Sequence, residues 1–129
     1  MPTNTPPPIN TLESFLARHR RSPPPGPIAV IFAEDGVALT GTLRHHLRAG
    51  SASVLLICHA APDLPPDLRP ESCPALHLLR ADLFAPDVLT NTMNRLIAAF
   101  SGSWFYYGYN AEYLFYTALT AKPEILGAF

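Results

Sequence analysis

A run of aromatic residues that opens onto polar side chains is the part of this sequence best suited to bind a ligand. Residues 104–108 read Trp-Phe-Tyr-Tyr-Gly, and the step Tyr109-Asn110-Ala111-Glu112 follows them directly. Because ligands of α/β proteins bind where strands end, we expect a site at this step. The Glu112 carboxylate could hydrogen-bond a sugar hydroxyl or order a phosphate-bound cation. Glu112 could equally lie in the first turn of a helix capped by Asn110.

Glu34 is the second candidate for ligand binding. It follows the apolar run at residues 28–32, which is typical of a strand buried on both faces. At the end of such a strand Glu34 could contact a ligand, or its charge could be stabilised by the start of the next helix. Asp35 is expected to cap that helix.

The histidines and cysteines do not form a catalytic or metal-binding pattern. His45 and His46 are adjacent, so on a helix their side chains point about 100° apart and cannot chelate one ion together. One should be packed and the other exposed. His59 follows a predicted strand and could meet a ligand, although a polar loop residue is the simpler interpretation. Cys58 and Cys73 lack metal-ligand spacing and are expected to be free thiols.

The elements that must position these side chains follow from hydrophobic periodicity. Apolar runs predict four strands, and helical spacing predicts one helix before Gly50 and another before Gly102. The resulting order β-α-β-β-α-β predicts an α/β fold, with an open, mainly parallel sheet and flanking helices. The predicted strands cover residues 28–32, 53–58, 75–79 and 104–107.

Proline clusters divide the chain into two parts. Residues 1–27 are expected to be a flexible, Pro-rich segment with one short helix, for which Asn10 and Glu13 form a plausible capping box. Residues 28–129 are expected to form one α/β domain. The apolar side chains of residues 112–129 are numerous enough that another surface should cover them.

Composition limits the partners of the chain. The 129 residues carry a formal net charge of −1, so no overall field attracts nucleic acid, and no nucleic-acid partner is expected. The apolar stretches are shorter than the roughly 20 residues that cross a bilayer, so no membrane span is expected. With no secretory signal pattern, the expected localisation is cytoplasmic.

Two segments together resemble the family-2-like nucleotide-sugar glycosyltransferases of the GT-A type. In residues 28–50, a strand, Glu34 and the ending Leu-Arg-His-His-Leu-Arg-Ala-Gly resemble the opening unit of that family. In residues 104–114, the Trp-containing strand is similar to the strand that leads into the family's Asp-x-Asp-Glu-Phe-Leu step. The resemblance covers about two-thirds of the chain and implies the Rossmann-like N-terminal, nucleotide-binding half of a GT-A fold, with strand order 3-2-1-4.

The resemblance also implies a function and its limits. In the family, the aspartate pair holds a divalent cation such as Mn²⁺ or Mg²⁺ against the sugar nucleotide, but here Tyr109 and Ala111 stand at those positions. Glu34 is then expected to contact the nucleoside, and Asn110 and Glu112 to lie near the diphosphate. The acceptor half of the family has no counterpart, so the domain is expected to be incomplete. The alternative is a non-catalytic module that binds a protein partner or itself through the aromatic C-terminal region.

Overall fold

The computed structural model describes residues 9–36 and 38–109, and these form a five-stranded, all-parallel sheet with helices on both faces. The strands lie in the order β1-β4-β3-β2-β5. In chain order the elements are β1 (Asn10–Thr11), α1 (Leu12–Arg18), β2 (Ile28–Ala33), α2 (Leu39–Arg48), β3 (Ser53–Cys58), a short 3₁₀ helix (Pro66–Leu68), β4 (Leu76–Arg80), α3 (Val88–Ala99) and β5 (Phe105–Tyr109).

The predicted α/β fold is confirmed. All six residues of β2 and all six of β3 are buried, because neighbouring strands flank each of them and helices cover both faces. The four predicted strands are β2, β3, β4 and β5, and their order across the sheet is third, second, first, fourth. This is the order that the resemblance implies. It places the topological switch point between β2 and β5, where the chain changes its direction across the sheet.

Two hydrophobic clusters hold the helices against the sheet. Strand residues alternate between the faces, so Ile31 packs with α2 residues such as Leu43, whereas Val30 packs with Phe15 of α1 and Leu96 of α3. An ion pair between Glu13 of α1 and Arg95 of α3 joins the two helices on the second face.

The N-terminal segment differs from its expected form. Asn10 and Thr11 form β1, which pairs with the edge of β4, and α1 then packs on the sheet through the buried Phe15. The expected capping box is wrong: Asn10 lies in the strand, and Thr11 is the N-cap, whose Oγ1 accepts a hydrogen bond from the Ser14 N–H at 3.1 Å. Residues 10–18 are therefore part of the domain.

The Pro-rich connection between β3 and β4 is anchored at several points. Leu64 and Leu68 are buried in the cluster on the α2 face, and the Asp67 carboxylate forms a two-point ion pair with Arg44 of α2. Cys58 and Cys73 are both free thiols, as expected, because Cys58 ends β3 whereas Cys73 precedes the start of the parallel strand β4. Among the described residues, no helix is long and apolar enough to cross a membrane.

Candidate functional site

A cavity of about 390 Å³ opens at the carboxyl ends of β2 and β3. Its volume falls within the range of small-molecule sites, and its place at this edge of a parallel sheet is where ligands of α/β proteins bind. The residues that line it are Ala33, Glu34, Asp35, Gly36, Leu39, Thr40, Cys58, His59, Ala60, Pro62 and Asp63.

Three elements bring these side chains together. The ends of β2 and β3 are in register, with Ala33 opposite Cys58, so Glu34 and His59 follow at the same level of the sheet. The first turn of α2 adds Thr40 to the wall. Ala33, Leu39 and Cys58 belong to the hydrophobic cluster beneath, so a packed core supports the floor of the cavity.

The charge of the lining is acidic. Glu34, Asp35 and Asp63 contribute carboxylates, and the described lining contains no lysine or arginine. Cys58 adds no charge, because burial raises the pKa of its thiol to about 11, and its Sγ donates a hydrogen bond to the Leu79 carbonyl oxygen at 3.7 Å. The lining is therefore rich in hydrogen-bond acceptors, and the Cys58 thiol at its base is uncharged.

The oxygens of this lining can bind a polar ligand. Carboxylate and hydroxyl oxygens can accept hydrogen bonds from ligand hydroxyl or amine groups. The Cys58 thiol is a poor nucleophile because little of it is ionised near neutral pH. Among the described residues, no group of three or more histidine, cysteine or acidic side chains could hold a metal ion.

The structure places one of the three predicted ligand-binding residues in this cavity. Glu34 lies on its wall at the end of β2. Asn110 and Glu112 lie outside the described residues. The expected capping role of Asp35 is wrong, because Ala38 is the N-cap of α2 and Asp35 lines the cavity instead.

The aromatic strand is only partly a core element. Tyr106 packs against the cluster on the α2 face, whereas Trp104, Tyr107 and Tyr109 are exposed. The Tyr109 ring lies 6.2 Å from the Phe32 ring, centroid to centroid, at the switch point between β2 and β5. Packing against the core therefore accounts for Tyr106 but not for the exposed Trp104, Tyr107 and Tyr109.

The adjacent histidines divide much as the sequence predicts. His46 is completely buried, and its ring lies 4.7 Å from that of Tyr106, whereas His45 is partly exposed. Burial, with a smaller effect of His45, lowers the pKa of His46 to about 4, so it is neutral near pH 7. Neither residue lines the cavity.

Sequence reasoning missed three residues of this region. Thr40 and Asp63 line the cavity, and Phe84 lies beside it in edge contact with His59, at 6.0 Å between ring centroids. The position of Phe84 shortly after β4 could have indicated it, because the carboxyl ends of neighbouring parallel strands lie at the same edge of a sheet. Asp63 sits in the Pro-rich connection, whose path has no periodic pattern.

Comparison with known proteins yields no matching family model, no matching curated protein and no matching solved structure.

Proposed function

We propose that this chain is a nucleotide-sugar-binding domain of the GT-A type, related to the family-2-like glycosyltransferases. In active relatives such a domain serves the transfer of a sugar from a nucleotide donor to an acceptor hydroxyl. The observation that carries the proposal is the strand order third-second-first-fourth, with Glu34 at the carboxyl end of the strand beside the switch point.

In this proposal the cavity receives the nucleoside part of the ligand. The Glu34 carboxylate accepts hydrogen bonds from ribose hydroxyls or from a base N–H, and Thr40 and Asp63 offer further oxygens. The diphosphate carries negative charge, and three lining carboxylates would repel it. It should therefore point away from the cavity floor, toward the carboxyl ends of β2 and β5. Asn110 and Glu112, which follow β5 in the sequence, are the proposed contacts of the diphosphate, and a divalent cation should strengthen its binding.

Titration with nucleotide sugars tests the proposal. Calorimetry with UDP-glucose and GDP-mannose, each with and without Mn²⁺, should detect binding below millimolar ligand, tighter with Mn²⁺. The Glu34→Gln variant should weaken binding about 10- to 100-fold, the loss of one hydrogen bond to a charged group. Its matched control is Glu71→Gln, the same change at an acid that pairs with Arg69 outside the cavity.

Two outcomes would contradict the proposal. Absence of heat with either ligand at millimolar concentration would remove nucleotide-sugar binding for this chain. Equal losses in Glu34→Gln and Glu71→Gln would show that a ligand binds somewhere other than the proposed cavity.

A second candidate function is a non-catalytic module that pairs with another copy of the chain. The observation that favours it is the exposure of two aromatic rings on one face of β5, with Tyr107 52% exposed and Tyr109 39% exposed. Large exposed apolar side chains side by side are typical of protein interfaces.

Light scattering tests this second function. The wild-type chain should show twice the mass of one chain at micromolar concentration, and Tyr107→Ser should shift it toward the mass of one chain. The control is Ile97→Ala, which removes an exposed apolar side chain from α3 instead. A single-chain mass for the wild type at all concentrations would exclude self-pairing through β5.

A further inference from the structure

Phe84 is the most exposed large apolar side chain among the described residues, with 76% of its surface accessible. Its backbone is held in a turn. The Phe84 N–H donates to the Asp82 side-chain Oδ1 at 3.1 Å, and the Ala85 N–H donates to the Asp82 carbonyl oxygen at 3.1 Å, which closes a turn directly after β4. The ring is therefore presented to solvent from an ordered turn, in contact with His59 of the cavity lining.

The ring of Phe84 contacts a residue of the acidic cavity. It meets His59 edge to face, at 6.0 Å between ring centroids, and His59 lines the cavity. Two aromatic side chains from neighbouring loops, one after β3 and one after β4, are therefore in contact at the edge of the sheet where the cavity opens. Such rings bind the flat face of a base or the C–H face of a sugar.

The acidic lining of the cavity and the aromatic pair beside it together define one class of ligand. Carboxylate oxygens require hydrogen-bond donors on the ligand, and the described lining contains no lysine or arginine to balance a phosphate. We infer that the cavity recognises an uncharged, hydroxyl-bearing ring, either a nucleoside or a free sugar, and that Phe84 with His59 is its stacking wall. This inference rests on the proposed function in one respect, that the ligand binds in this cavity. It does not require the ligand to carry a diphosphate.

A ligand series without divalent cations tests the charge preference. Titrations of the ¹⁵N-labelled chain in EDTA, followed by NMR, compare uridine and adenosine with UDP and ADP, and include methyl glucoside as the free sugar. The uncharged ligands should bind at least as tightly as the diphosphates of the same nucleoside. Tighter binding of the diphosphates in EDTA would overturn the inference. Comparison of uridine and adenosine with methyl glucoside decides whether the ligand ring belongs to a nucleoside or to a free sugar.

The Phe84→Ala variant tests the stacking wall. It should weaken binding of the uncharged ligand about 5- to 100-fold, because stacking on an aromatic side chain contributes roughly 1–3 kcal/mol, and Phe84→Tyr should restore most of the affinity. The Tm should stay unchanged, since Phe84 is exposed. Ile97→Ala is the matched control for removal of an exposed apolar side chain and should leave affinity unchanged.

The outcomes separate this inference from the proposed function. Binding of UDP-glucose with Mn²⁺ that is insensitive to Phe84→Ala would overturn the inference and leave the nucleotide-sugar function standing. Binding of uridine or methyl glucoside that depends on Phe84, without binding of any sugar diphosphate, would support the inference and remove that function. No binding of any ligand would remove both.

Discussion

Replacement of His46 by phenylalanine should stabilise the protein and remove much of its sensitivity to acid. His46 is completely buried, and neither ring nitrogen has a hydrogen-bond partner among the described residues. An unpaired buried polar group costs about 1–3 kcal/mol, so the apolar ring of His46→Phe, which can keep the contact with Tyr106, should raise the free energy of unfolding by a similar amount at pH 7.

The pH dependence has a defined direction. The pKa of His46 is about 4 in the folded chain and 6.5 in the absence of burial, so between these values the unfolded chain binds more protons. The stability from neutral His46 is fully present above pH 6.5 and is lost as pH falls toward 4. At about 1.4 kcal/mol per unit, this loss reaches about 3 kcal/mol.

Urea unfolding of wild type and His46→Phe at several pH values between 4 and 7.5 measures the difference. The gap between the two proteins should widen as pH falls, and His59→Gln, a change at an exposed histidine, should follow the wild type. A smaller slope should remain in His46→Phe, because burial, with His19 and Arg18, also lowers the pKa of His77. A constant gap across this range would contradict the proposed effect of His46.

Phe15→Ala should remove about 3–5 kcal/mol from the free energy of unfolding, the usual loss for a buried phenylalanine. Phe15 is 1% exposed, and its ring contacts those of His77 on β4 and Phe100 after α3. Because small domains are stable by only about 5–15 kcal/mol, the variant should lose a large share of its stability. This loss is expected only if β1 and α1 unfold together with the sheet.

Phe84→Ala is the matched control, since it makes the same chemical change at a site that is 76% exposed and should alter stability by less than about 0.5 kcal/mol. Chemical unfolding followed by circular dichroism measures both variants. A loss below about 1 kcal/mol in Phe15→Ala would mean that residues 10–18 are a dispensable attachment rather than part of the cooperative domain.

Much of the fold could be predicted from the sequence because its central elements carry strong patterns. The continuous apolar runs of β2 and β3 are long enough to identify buried parallel strands. Gly50, which follows the end of α2 with a φ of 102°, is the helix stop that the sequence predicts. The rule that parallel strands end at one edge of the sheet predicts that Glu34 lies at that edge, and Glu34 lines the cavity there.

The features of the fold and the cavity that could not be predicted depend on contacts between distant parts of the chain. β1 has only two residues and forms because the edge of β4 pairs with it, so no local pattern indicates it. That pairing also moves the helix cap from Asn10 to Thr11. Asp63 reaches the cavity because Leu64 beside it is buried in the core, a contact that the irregular Pro-rich connection does not reveal.

The central position of β2 has a consequence for synthesis on the ribosome. β2 precedes β3, β4 and β5 along the chain, yet its second neighbour is β5, the last strand that the structure describes. While residues 34–104 are being made, β2 can pair with β3 on one side only, and its other edge presents unpaired backbone groups. The nascent chain therefore carries an open, apolar sheet edge until β5 emerges, and this interval is when a chaperone would protect it most.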